Sequence, residues 1–359
     1  MDILNLEQGF GAAECGSAAM AQARQSWFDC YYDASVLRLP YTIVRKLVRA
    51  VFAEYQPQGA LVQAIPERSL MELALIGGES YLKPVFDGTW QWRVIPRSGI
   101  LVFARDHQGE PTDVGLMERR KEGRHYYTLL ERRQVENGVL TVTNRLFRSL
   151  SEYELGREAP LSACDAFAAL PELYRYPGTV GVGLVRLKTP MTNCIDGSGE
   201  GVSVFAPAME LIRALEENEA QLESEFRNGR SRLVVSRDML RGGQLSDELF
   251  VALDDSPETV GITVFSPELR QGSFLERQQS YLRMVENVIG LKRGLLGEVE
   301  AAQRTATEIT STEGEYVTTL TELRACFEKA AREAAALVAS MGGAEETVSI
   351  QWGDNVVGN

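Results

Sequence analysis

From Thr305 the chain reads TATEITSTEGEYVTTLTELRACFEKAAREAAALVASM, with apolar residues at Ile309, Tyr316, Leu320, Leu323, Phe327, Ala330, Ala334, Leu337 and Met341. Steps that alternate three and four residues draw a narrow stripe along one face of a single long helix. At 1.5 Å per residue such a helix spans roughly 55 Å. A helix of that length with so thin a stripe is expected to pack against neighbours along its whole length rather than to cap one compact core. Ahead of it, FSPELRQGSFLERQQSYLRMVENVIGL predicts a second helix, joined to the first through the Gly-bearing loop KRGLLGEVEAAQR. Everything else in the chain has to be arranged around this helix, loop and long helix.

The chain has 359 residues, 44% hydrophobic and 24% charged, enough for two or three domains and a sizeable core. Its formal net charge of -13 excludes a protein that grips nucleic acid through a broad basic surface. It remains compatible with one that lets DNA pass without gripping it. Five cysteines (Cys15, Cys30, Cys164, Cys194, Cys326) are an odd number without CxxC spacing, so reduced thiols are expected rather than a disulfide framework. No apolar run approaches the length that spans a bilayer. The start, MDILNLEQGFGAAECG, lacks the basic and apolar regions of a signal peptide. A soluble chain made in the cytoplasm is the expectation.

In chain order, Ser17 is placed to cap a helix through MAQARQSWFDCYY. After Pro40, TIVRKLVRAVFAEY puts Ile43, Leu47, Val51 and Phe52 on one side, and Arg45, Lys46 and Arg49 on a solvated other. Pro66 opens a short helix, ERSLMELALIG, which Gly77-Gly78 ends. SYLKPVF, TWQWRVIP, GILVFARD, DVGLMERRKEG, RHYYTLLERRQVENG and VLTVTNRLFRS then read as successive strands of one antiparallel meander over 80–150. Asn137-Gly138 marks its clearest hairpin. Residues 151–201 are loop-rich, with a short strand at 180–187. The DGSGEG run at 196–201 meets neither the GxGxxG nor the P-loop template; it reads as a flexible lead-in, with Ser203 capping the next helix. That helix, SVFAPAMELIRALEENEAQLESEFRNG, has an apolar face of Phe205, Ala208, Met209, Ile212, Leu215, Leu222 and Phe226. Glu210, Glu216, Glu217, Glu219, Glu223 and Glu225 crowd the remainder. An insert at 228–265 holds strand pieces at LVV, FVAL and GITVF, and VSIQW near the end supplies one more.

No catalytic, cofactor-binding or metal-ligating residue emerges. A G-x-S-x-G elbow is absent, His107 falls in a turn and His125 on a strand, and two histidines make a structural zinc site improbable. The carboxylates spread along helix faces, where they suit solvation or pairing between subunits better than acid–base work. An enzyme is not expected.

Several stretches resemble, in order, the bacteriophage portal proteins of the minor capsid protein 1 group. They are AMAQARQSWFDCYY through LPYTIVRKLVRAVFAEY, then GGESYLKPVF, then GEGVSVFAPAMELIRALEENEAQLESEF. Most specific is FSPELRQGSFLERQQSYLRMVENVIGLKRGLL followed by TATEITS, which is similar to that family's F-x-P-x-I-R, I-G-L-S-x-G and T-A-T-E-I signatures. The resemblance runs over most of the chain.

It implies an α+β portal fold with long stem helices, an antiparallel β wing and a small α/β clip, assembled as a ring, usually of twelve copies. Carried onto this sequence, the wing is 1–202, the first stem helix 203–227 and the clip 228–265. The second stem helix is 266–290, the tunnel loop 291–305, the long hinge helix toward the crown 306–341, and the C-terminal strand and tail 342–359. The implied function is the channel at one capsid vertex of the virion, through which double-stranded DNA is packaged and ejected. Its implied partners are the major capsid protein, the terminase large subunit and a head–tail adaptor, with no membrane. Lys292, Arg293 and Arg304 become the groups that touch DNA phosphates transiently. Glu216, Glu219 and Glu223 become rings of like charge that let the duplex slide. Members of the group usually extend well beyond the segment matching VSIQW, so a minimal or absent crown is expected, and the clip is short. The competing readings are a non-channel head–tail adaptor or structural virion protein, and a soluble α+β enzyme. Adaptors are usually shorter than a chain with this stem–loop–long-helix order.

Overall fold

The computed structural model describes residue 10 and residues 16–33, 37–229, 268–297 and 314–353 in full, with the backbone alone of 232–236, 250–253, 262–265 and 306–313. The architecture is mixed α and β. Helix α1 (Ala18–Tyr32) begins where Ser17 Oγ accepts the Met20 N–H at 3.1 Å. Helix α2 (Leu39–Val51) carries Pro40 in its first turn and buries Ile43, Val44, Leu47, Val48 and Val51. After the short strand β1 (Gln56–Gln58) and helix α3 (Ala60–Gln63) comes α4 (Glu67–Gly77). It stops because Gly78 takes a left-handed φ of 82°; a Cβ there would also sit 2.2 Å from the Gly201 carbonyl oxygen.

The six expected strands form as β2 (Glu79–Phe86), β3 (Trp90–Pro96), β4 (Ile100–Arg105), β5 (Pro111–Glu122), β6 (His125–Glu136) and β7 (Val139–Ser149). They do not make one meander. Strands β4 to β7 continue into β8 (Arg157–Ala159) and β9 (Leu173–Pro177), both on the outer edge of β7, as one sheet. Strands β2 and β3 instead join β10 (Val185–Lys188) in a separate three-stranded sheet, order β10-β2-β3. The break falls at Pro96, which has no N–H to extend a ladder. A 3₁₀ turn follows at Arg97–Gly99, closed by the buried Arg97 guanidinium donating to the Ile100 carbonyl at 2.7 Å. Asn137 and Gly138, at φ of 51° and 74°, make the two-residue turn that sets Glu136 opposite Val139. The strand expected at 180–187 begins only at Val185, because Gly181 and Gly183 turn the backbone with φ of 53° and 68°.

Helix α5 (Met209–Asn228) follows a 3₁₀ turn at Ala206–Ala208. Ser203 does not cap it: the Ser203 hydroxyl donates to the Leu75 carbonyl at 2.9 Å, which pins the strand-like approach to α4. Strands β11 (Arg232–Ser236), β12 (Phe250–Leu253) and β13 (Ile262–Phe265) form a three-stranded sheet, order β12-β11-β13. Within it β11 runs parallel to β12 and antiparallel to β13. Helix α6 (Gln271–Ile289) then precedes α7 (Ala306–Ser340), and β14 (Ser349–Gln351) pairs antiparallel with β1.

Helix α7 is as long as the periodicity requires, but its packing differs from the expectation. Leu320, Leu323, Phe327, Ala330, Ala331, Ala334, Leu337 and Val338 are buried in the main core of this one chain, where α7 packs beside α2, α3 and β10. Ala331 and Val338 widen the stripe, and the alanines let neighbouring elements approach closely. Phe327 lies 5.1 Å from Phe52, 5.6 Å from Tyr55 and 6.3 Å from Trp352, ring centre to ring centre. Much of α7 is thus a core element rather than a strut between copies. The Ile309 side chain lies outside the described residues.

Candidate functional site: the helix hairpin and its loop

Helices α5 and α6 pack antiparallel because each offers a short apolar or amide stripe to the other. The Asn218 side-chain amide donates to the Phe274 carbonyl at 3.1 Å, and Gln278 donates to Glu219 at 3.4 Å. Nearer the end that carries the inserted sheet, the Arg270 guanidinium and backbone N–H both reach the Glu225 carboxylate, at 2.7 and 2.6 Å. Those contacts hold the Glu225 carboxyl below its ordinary range, the Arg270 side chain first among the causes. At the other end Val285 and Ile289 enter the main core. Along the pair, Phe226, Leu269, Leu275, Met284 and Val288 stay 39–48% exposed.

Gly290, in the left-handed region at φ 75°, ends α6. The next seven residues, which open the expected loop at 291–305, are strapped down. The buried Glu286 carboxylate accepts the backbone N–H groups of Gly294 at 3.0 Å, Leu296 at 2.6 Å and Gly297 at 3.2 Å. Thr319 Oγ1 donates to the Gly290 carbonyl at 3.1 Å. The Lys46 ammonium donates to the Leu295 carbonyl, so Lys46 does not belong to a purely solvated basic face. Gly297 sits so close that a Cβ would lie 3.0 Å from Gln279 Oε1. A carboxylate that gathers several N–H groups in a buried place is the strongest form of such a clamp.

The channel candidates named from the sequence are distributed as follows. Lys292 is half-buried and Arg293 exposed on the strapped turn. Arg304 lies outside the described residues. Glu216, Glu219 and Glu223 share one stripe of α5 by spacing but meet three surroundings. Glu216 is half-buried against α1, where, after burial itself, its charge helps push the Cys30 thiol up to about 11. Glu219 accepts from α6, and Glu223 projects into solvent, paired with Arg227 at 3.1 Å. The structure therefore brings Lys292 and Arg293 together and separates the three carboxylates.

A second cluster of charge, in the body, was not anticipated. Glu79 is fully buried and accepts from Arg186 at 3.2 Å, Tyr81 at 2.7 Å and the Gly201 N–H at 2.8 Å, with Arg97 at 3.8 Å. Burial alone would raise its pKa. The guanidiniums of Arg186, Arg97 and Arg105 and the Gly201 N–H outweigh burial and hold it at about 2. Glu131, against Arg133 and Lys83, is held at about 2 in the same way. Glu200 takes Arg24 and Arg105. Around it, Asn193 donates to Asp196 at 2.9 Å and Ser198 at 3.0 Å, while Ser17 reaches Asp196. The glycine-rich run at 196–201 is thus a stitched turn that joins α1 to the sheets, not a flexible lead-in. A lone glutamate on the buried side of an amphipathic segment, as at Val285-Glu286 or Gly78-Glu79, is the sequence signal for both clusters.

His107 lies in the turn between β4 and β5, and His125 opens β6. Cys30, Cys164, Cys194 and Cys326 are free thiols. Among the described residues no group of three or more His, Cys, Asp or Glu is placed to hold a metal ion, and no helix is long and apolar enough to cross a membrane. Neither the known family models nor the curated proteins contain a match to this sequence.

Proposed function

We propose that this chain is a phage portal protein. In this reading it is a subunit of a ring-shaped channel, without catalysis of its own, that conducts double-stranded DNA at a capsid vertex during packaging and ejection. The observation that carries the reading is the antiparallel α5–α6 pair, with a small sheet inserted between Asn228 and Gln271 and a strapped turn leading into the 35-residue helix α7. On this reading α1 to α4, the six-stranded sheet and the β10-β2-β3 sheet are the wing, α5 and α6 the stem, and β11 to β13 the clip. The tunnel loop is 291–305, of which residues 298–305 lie outside the described residues, and α7 is the hinge helix toward the crown. The partners are further copies of the chain, the major capsid protein, the terminase large subunit and a head–tail adaptor.

The exposed apolar side chains of the hairpin support assembly. At 3.6 residues per turn, Met284 lies about 180° round α6 from Leu275, and Val288 lies on the Met284 side. Apolar groups on two different flanks suit a head-to-tail contact, in which each copy offers one flank to the copy before it and the other to the copy after. The strapping of residues 291–297 supports a fixed loop base, so that Lys292 and Arg293 keep one height in every copy of a ring.

Negative-stain class averages of the purified protein test the reading. The expected particle is a ring with an axial hole, close to twelvefold, and it hydrolyses no nucleotide. A chain that stays monomeric both at assembly concentrations and in procapsid lysates would overturn it.

A further inference from the structure

Helices α1 and α2 each carry like charges where helix physics disfavours them. On α2, Arg45 and Arg49 stand one turn apart on the side opposite the buried Ile43 and Leu47, and Arg38 opens the helix. Like charges at that spacing repel, and a cation is disfavoured at a helix N-terminus. Arg38 moreover holds a left-handed φ of 43°, and its side chain makes no capping hydrogen bond. On α1 the signs are reversed. Asp29 and Asp33 stand one turn apart at its C-terminal end, where the helix dipole disfavours carboxylates. Among the described residues none of these exposed side chains enters an ion pair. Arg45 lies over the Tyr41 ring at 5.8 Å, and Asp29 accepts from Gln25 at 2.8 Å.

Asp29 and Asp33 line an open groove of about 770 Å³ between α1 and α5, with Glu216 on the α5 wall. Among the described residues the one guanidinium in that wall, Arg213, is already engaged by Glu210 at 2.6 Å. Helix α1 meets α5 where Arg213 donates to Ser26 at 3.4 Å, and meets α2 where the Tyr31 and Tyr41 rings lie 5.9 Å apart. The acidic groove and the basic stripe therefore lie on different sides of α1. We infer that the groove seats α2 of a second copy, with Arg45 and Arg49 of one copy pairing with Asp29 and Asp33 of the next. Both pairs repeat at four residues, about 6 Å along a helix axis, so two helices laid side by side bring them into register. Arg38 and Glu216 add to the match of charge, and each surface relieves the repulsion built into the other. Glu216 thereby belongs to the seam between copies rather than to the channel. A contact between two different surfaces is head-to-tail, and it closes into a ring or runs on as a filament. Closure rests on the portal reading; the contact itself does not.

The test uses the full chain in sedimentation velocity over a concentration and salt series. Arg45→Glu with Arg49→Glu reverses one surface, Asp29→Arg with Asp33→Arg reverses the other, and a combined chain carries all the changes. Phe86→Ser, at the exposed end of β2, serves as the control. Circular dichroism melts establish that each variant folds. Each reversal should weaken association by about tenfold or more, and the combined chain should recover to within about threefold of wild type. Wild-type association should fall as salt rises, with Phe86→Ser unchanged. Three results would overturn the contact: association equal to wild type in either reversal, a loss that the combined chain does not recover, or a wild-type chain that stays monomeric at low salt. Class averages of the same samples separate the contact from the portal reading. Rings that persist in both reversals overturn the contact alone. Open filaments that dissolve in each reversal and return in the combined chain keep the contact and overturn the ring.

Discussion

Glutamates do opposite work in the body and in the hairpin. In the body, Glu79, Glu131 and Glu200 are buried, each held by two or more cations, and they join segments far apart in sequence. On the exposed face of α5, among the described residues, Glu210 and Glu223 pair with the arginine three or four residues along the same helix. The first arrangement fixes one geometry, because an unmatched charge there has no water to fall back on. The second leaves the helix surface soluble yet open to new partners, because water already compensates every group. Glu286 sits at the boundary between the two regimes: buried like the body carboxylates, but holding backbone N–H groups rather than cations.

The largest expected effect that would break this contrast is at Glu79. Glu79→Ala takes from Arg97 and Arg186 the carboxylate they share in the core, leaving Arg186 only the half-exposed Glu110, and should cost about 3–5 kcal/mol, read from urea unfolding at neutral pH. The acid side sharpens it. Since Glu79 and Glu131 are held near 2 when folded against an ordinary value of 4.5, their contribution is complete above pH 4.5 and is lost as pH falls toward 2. The urea midpoint of wild type should therefore drop steeply over that window, and that of Glu79→Ala less so. Parallel curves would mean the network carries no pH-linked stability. Next in size, Glu286→Gln retains one acceptor and loses the charge-assisted clamp, at a cost of about 1–3 kcal/mol. Its signature should be faster amide exchange at Gly294, Leu296 and Gly297 while the β-sheet amides keep their protection. Uniform loss of protection would show that the clamp belongs to the global fold. Smallest is Arg227→Ala, whose loss of the Glu223 pair should shift stability by about 0.5 kcal/mol or less; a shift several times larger would mean that the hairpin surface is as tightly coupled as the body.

The elements themselves were largely legible in the sequence. Helix periodicity found α5, α6 and α7, Asn137-Gly138 found its hairpin, and β-branched and aromatic runs found β2 to β7 and the insert strands. What local pattern could not give was partnership. Pro96 separates two sheets, but nothing near it says that β2 pairs with β10 nearly a hundred residues later. Ala330, Ala331 and Ala334 look too small to define a core face, and they bury because α2, α3 and β10 come close enough to use them. The strapped turn was missed for a related reason. Glu286 reads as one more polar residue until its neighbours Val285 and Ile289 are seen to enter the core. The basic pair Lys292 and Arg293 was legible; that its turn folds back onto Glu286 was not.

The pairing of Gln56 with Gln351 has a bearing on how the molecule is made. Phe52 and Tyr55 emerge in synthesis about 270–300 residues before Phe327 and Trp352, the rings that cover them. The α2–α4 unit must therefore wait, with its aromatic surface uncovered, until α7 and the β14 strand arrive. Contacts so distant in sequence are slow to form. Apolar surface left uncovered in the meantime favours aggregation.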